Sequence, residues 1–113
     1  MYQYTCELIR VIDGDTVDAW IDLGFDIKIK KRIRLYGINA PETRTRDSKE
    51  KKAGLLAKDR IIELIKQNEN KFMLKSHGVG KFGRCLGELY IDDHTRSVND
   101  LLILEGLADR YES

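Results

Sequence analysis

The sequence predicts an α+β domain, a small closed barrel of five strands with two helices packed on it. Three observations predict it. The first forty residues alternate apolar and polar with period two, a three-and-four apolar repeat follows, and two strand-like segments and a short helical one complete the order. At 113 residues the chain is the size of one core, so residues 1–113 are read as a single domain.

In the second strand, Thr16 to Leu23, residues Val17, Ala19, Ile21 and Leu23 share a face. Asp13-Gly14 and Gly24-Phe25-Asp26 are the turns that bound it. In the third strand Ile27, Ile29, Ile33 and Leu35 share a face, and the opposite face carries Lys28, Lys30, Arg32 and Arg34. A one-residue slip would bury those four cations, so the register is well specified. Residues 37–46 read as a loop around the only proline, Pro41. A helix is expected over residues 47–67, where Ala53, Leu56/Ala57, Arg60/Ile61 and Leu64/Ile65 recur. Strands at 72–76 and 85–91 follow, joined by a loop at 77–84. The second helix, 98–104, has Ser97 as N-cap and Gly106 as its stop. Five short strands with one intervening helix fit a barrel of the OB type.

Charged residues make up 35% of the chain and the hydrophobic set 42%, which excludes a disordered composition. The longest apolar run, Leu101 to Leu104, is far too short to span a bilayer, and no membrane partner is expected. No basic stretch followed by an apolar one opens the sequence, so a cytoplasmic location is expected. Cys6 and Cys85 lack metal-type partners at short spacing and read as two small buried residues rather than a disulfide.

The net charge of +1 hides an uneven distribution. Residues 1–27 hold one basic and six acidic groups (−5), and residues 28–60 hold twelve and four (+8). Residues 61–84 hold five and two (+3), and residues 85–113 hold two and seven (−5). A basic middle between acidic ends suits a polyanion, although a solvated helix face accounts for several of the lysines.

Three local features bear on chemistry. Asp13-Gly14-Asp15 is first of all a hairpin turn. An EF-hand reading fails, because the required glycine and glutamate positions hold Asp18 and Gly24. What remains is two carboxylates able to offer oxygens to a hard cation. Arg34 ends a row of like charges that repel one another unless an anion visits. Lys81-Phe82-Gly83-Arg84 presents a second arginine after a glycine.

Together with IDGDT at 12–16, RLYGINAPET at 34–43, KFGR at 81–84 and VNDLLILEGLA at 98–108, the chain resembles the staphylococcal nuclease family. The four segments are collinear from Val11 to Tyr111. The resemblance implies an OB-type barrel and calcium-supported hydrolysis of DNA and RNA phosphodiesters, with magnesium or manganese as other cations. It places the metal-binding aspartate at Asp15 with Asp13 in its outer shell, and a backbone carbonyl ligand at Ala40. The phosphate-binding arginines fall on Arg34 and Arg84, and the catalytic glutamate on Glu42. Asn39 stands where the family commonly has a second metal-ligating aspartate, so a weaker metal site is expected. The family's third, C-terminal helix is missing or reduced to a stub. Tyr111 is placed as an aromatic that stacks on a base.

Lys28, Lys30, Arg32 and Lys81 are expected to meet phosphates, which carry no base code, so little sequence specificity is expected of a monomer acting on DNA or RNA. His77 and His94 match no functional position, and Trp20 and Tyr36 read as core or barrel-wall aromatics rather than base-stacking platforms. The runner-up function is a binding module on the same barrel that has lost turnover. A calcium-responsive structural domain ranks last, since it has no need of the arginines.

Overall fold

The computed structural model describes residues 2–80, 83–91 and 95–111. The strands are β1 (Gln3–Asp13), β2 (Thr16–Asp22), β3 (Lys28–Leu35), β4 (Ile38–Asn39), β5 (Lys71–Val79), β6 (Cys85–Tyr90) and β7 (Asp109–Arg110); the helices are α1 (Ser48–Lys66) and α2 (Val98–Leu104). Five strands close the expected barrel, in the order β1-β2-β3-β6-β5. Val17, Ala19, Ile21, Ile33, Leu35, Leu74 and Leu89 are all buried, so period-two alternation becomes an apolar lumen and a polar outer wall.

Closure between β3 and β6 is short and parallel, running from the Ile33–Cys85 pair to the Leu35–Gly87 pair. The first half of β3 therefore pairs only with β2, which itself stays paired to β1 as far as Ile21. This is why Leu23 and Ile27, expected on the inward faces, are exposed: both lie past the strand ends, in a turn where Gly24, Phe25 and Asp26 all take positive φ. Trp20 and Tyr36, expected in the core or the barrel wall, are both exposed and so lie outside the core. Trp20 falls on the outer phase of β2, and Tyr36 lies just past the end of β3.

α1 begins at Asp47, whose carboxylate accepts hydrogen bonds from the N–H groups of Lys49 (3.0 Å) and Glu50 (3.4 Å). It buries Gly54, Ala57, Ile61, Leu64 and Ile65, while Leu56, expected on that face, is exposed. α2 starts at Ser97, whose hydroxyl accepts from Asp100 N–H at 3.0 Å, and Gly106 stops it at φ 73°. The expected loop at 37–46 contains β4, which pairs with β7. β5 continues to Val79, so His77 is a strand residue rather than part of a loop; a bulge between Ser76 and Gly78 lets pairing with β6 continue. After α2 the described residues form β7 and no third helix. No described helix is long and apolar enough to cross a membrane. Both cysteines are free; burial, with Cys85 and Asp22 nearby, pushes the Cys6 thiol up to about 12.

Candidate active site

The β1–β2 turn, the end of β3 and the loop before α1 meet at one end of the barrel. Thr16 pairs with Arg34, and the Asp15 carbonyl accepts from Leu35 N–H at 2.8 Å, which locks the turn to the end of β3. Asp15 is 9% exposed. Its Oδ1 accepts from the Thr16 hydroxyl at 2.9 Å and its Oδ2 from Ala40 N–H at 3.0 Å. The Arg34 Nη2 stands 3.7 Å from the same Oδ2.

Arg34 is held but not consumed. One strong bond runs from Nη1 to the Leu35 carbonyl at 2.9 Å. Contacts to the Asp15 carbonyl and to Asn39 Oδ1 are each 3.5 Å, at the limit of hydrogen bonding. The Tyr111 ring lies 5.9 Å from the guanidinium carbon, and Tyr111 N–H is tied to the Gly37 carbonyl at 2.9 Å. Arg34, Asn39, Arg84, Tyr36 and Tyr111 line one hollow of about 430 Å³. The two arginines, distant in sequence, thus share a cavity.

Asp13 does a different job. Its Oδ1 accepts from the Thr43 hydroxyl at 2.6 Å and from Thr43 N–H at 3.3 Å, clamping the loop that carries Glu42. Close packing supports the clamp. A Cβ on Gly14 would stand 2.5 Å from Ala57 Cβ and 2.9 Å from Ala40 Cβ. Glu42 is exposed; its N–H reaches Glu50 Oε1 at 3.4 Å, and among the described residues its carboxylate makes no hydrogen bond or ion pair. Nor do any three His, Cys, Asp or Glu side chains among the described residues converge to hold a metal. The donor set at Asp15 and Asn39 is still all oxygen, with both side-chain oxygens within 4 Å of the same Arg34 nitrogen (3.7 and 3.5 Å). Carboxylate and amide oxygens are the donor types a hard cation takes.

Arg32 and Lys30 line a second, larger hollow of about 680 Å³, whose wall also includes Arg84, Asp13 and Asp18. Lys28 stands farther along β3, beside a third hollow. Lys81 and His94 lie outside the described residues. Other contributors escaped the sequence reading. Asn99, buried in α2, accepts from Leu89 N–H at 3.1 Å and donates to the carbonyls of Tyr36 (2.8 Å) and Gly87 (3.1 Å). It joins the hollow's wall to β6. Behind Tyr36 the His77 ring stacks at 4.0 Å, and His77 Nε2 is 2.6 Å from Glu88 Oε1. The Tyr90 hydroxyl donates to Glu88 Oε2 at 2.7 Å, and that bond pushes the phenol up to about 12. Burial opposes ionisation of Glu88, but the bonds from Tyr90 and His77 outweigh it and hold the carboxyl below its usual range. Asn99 lies within VNDLLILEGLA at 98–108, yet only tertiary contact reveals its partners.

Fold and site define an OB-type α+β domain with a two-arginine hollow beside a buried aspartate. Residues 32–113 match the staphylococcal nuclease homologue family, and the chain belongs to it. It is also similar to Protein ParB of Escherichia coli, 27% identical over 115 residues that cover 93% of this chain and 56% of that protein. The chain therefore spans about half the length of that relative.

Proposed function

We propose that this domain hydrolyses phosphodiester bonds of DNA or RNA with little sequence preference, supported by a divalent cation, calcium first. The observation that carries the reading is the hollow shared by Arg34 and Arg84 beside the buried Asp15 carboxylate. Two guanidinium groups present planar donors to the non-bridging oxygens, where charge grows as water attacks phosphorus. Glu42, on a loop fixed by the Asp13–Thr43 clamp, takes the proton of the attacking water. The bond from phosphorus to the leaving oxygen breaks, and that oxygen takes a proton from solvent. Asp15, Asn39 and the Ala40 carbonyl would hold the cation, whose chemistry is Lewis-acid stabilisation of phosphoryl oxygen. Tyr111 and Tyr36 offer ring faces to a base in the hollow. Phosphate contacts dominate, so affinity falls as salt rises.

A second reading, a nucleic-acid binding module without turnover, draws on the single carboxylate near Asn39 and on the absence of a three-ligand acidic cluster among the described residues. Digestion of end-labelled single-stranded DNA in calcium, in magnesium and in chelator separates the two. The nuclease reading expects cleavage in calcium that chelator abolishes. Binding of an uncut strand under all three conditions supports the second reading instead.

A further inference from the structure

The lone tryptophan of the chain is 42% exposed on the outer phase of β2, between the charged residues Glu7 and Lys30 of its neighbouring strands. Strand register defines its surroundings. Across β1, β2 and β3 the outward rungs are Asp13–Thr16–Arg34, Arg10–Asp18–Arg32 and Glu7–Trp20–Lys30, and Asp22 pairs with Lys28 beyond them. Cations on β3 recur every second residue, about 6.7 Å apart, so the row from Arg34 to Lys28 is about 20 Å long.

Three hollows follow this row in order. Arg84 lines both the first hollow, with Arg34, and the second, with Arg32 and Lys30. Trp20 and Lys28 line the third, about 430 Å³, and Trp20 is the cross-strand neighbour of Lys30. The two guanidiniums of the middle rung are pre-positioned by Asp18, which accepts from Arg10 Nε at 2.9 Å and from Arg32 Nε at 2.8 Å. Lys30 and Lys31, which also line the second hollow, have no ion-pair partner among the described residues. Five cations thus face two carboxylates there.

We propose that a single strand of nucleic acid leaves the catalytic hollow past Arg84 and runs along the outer face of β3. Its phosphates meet Arg32, Lys30 and Arg10, and a base stacks on Trp20. This rests on the reading of the first hollow as a nucleic-acid site. Charge complementarity selects a polyanion, and the indole face between charged neighbours selects an unpaired base. A repeat of one cation per two strand residues suits an extended sugar–phosphate chain. A length of about 20 Å adds several nucleotides to those held in the hollow, within the 4–16 typically bound by such a barrel (about).

Because Trp20 is the only tryptophan, its emission reports this contact directly. The intact protein is titrated in chelator with oligothymidylate of about eight nucleotides and with a thymidine dinucleotide, binding being followed in parallel by anisotropy of labelled strands. The octamer is expected to quench Trp20, and the dinucleotide, which fills only the first hollow, to leave it unchanged. Trp20→Ala is expected to weaken octamer binding about tenfold and to leave the dinucleotide unaffected. Lys30→Ala, at an exposed position, is expected to weaken the octamer alone and guards against misfolding of the tryptophan variant.

The track is overturned if the octamer binds without quenching, if it binds no more tightly than the dinucleotide, or if Lys30→Ala leaves its affinity unchanged. Quenching by poly-glutamate as strong as by oligothymidylate overturns the assignment to nucleic acid. Cleavage in calcium is scored separately. Cleavage without quenching removes the track and leaves the nuclease; quenching without cleavage removes the nuclease and leaves the track.

Discussion

Asp18 shows how a residue's role depends on what flanks it. It is 3% exposed although it lies on the outer wall, because Arg10 and Arg32 fold over it from both neighbouring strands. The Arg32 hydrogen bond, set against burial and helped by Arg10, holds its carboxyl below the ordinary value of 3.8. A depressed folded-state pKa means stability that is fully present above the unfolded value and lost as pH falls through the folded one. Asp18→Asn should cost about 1–2 kcal/mol at neutral pH. Its stability should also fall less steeply than wild type below about pH 4. Urea midpoints between neutral and acid pH check this, and parallel acid limbs would count against it. Alternation puts Asp18 opposite the apolar face of β2 and says nothing of what it meets there. The arginine of β1 that completes the trio was not legible, because strand pairing is a tertiary fact that one strand's pattern does not contain.

At the scale of elements, the helix α1 and the loop before it are one mechanical unit. A Cβ on Gly54 would stand 2.7 Å from each of the Pro41 and Glu42 carbonyl oxygens. Gly54→Ala should therefore push the loop outward and destabilise the protein by about 1–3 kcal/mol. Because the same loop carries Glu42, cleavage should drop further than strand binding does. Chemical denaturation and a paired cleavage and binding assay measure the two effects; a variant as stable and active as wild type would show that the helix does not position the loop. The α1 span to within a residue at each end, the Ser97 cap and the α2 span were all readable, since they rest on local spacing and cap chemistry. The close approach at Gly54 was not readable, because a glycine within a helical pattern looks the same whether or not another segment presses on it. β4 and β7 were missed for a similar reason: two-residue strands carry no period.

The whole molecule supplies what no element has alone. Barrel closure sets the Ile33–Cys85 pair, and with it Arg34 on β3 and Arg84 just before β6 reach the same hollow from positions distant in sequence. Collinear motifs made that meeting predictable, and family membership agrees with it. Burial of Asp15 and the position of Tyr111 at the hollow are geometric facts that the motif order could only anticipate. Exposure of Trp20 and Tyr36 went the other way, since an aromatic in an alternating strand gives no sign of which phase meets water without its partners. The proposed mechanism turns on Glu42, on the loop that the Asp13–Thr43 clamp holds, taking the proton of the attacking water. The direct measurement is the calcium-dependent cleavage rate of single-stranded DNA by Glu42→Gln, taken at saturating strand and with strand affinity measured alongside. A fall of about 10²–10⁴-fold with affinity retained is the predicted result. Wild-type turnover in that variant would contradict the claim and leave the barrel as a binder of nucleic acid whose chemistry, if any, lies elsewhere.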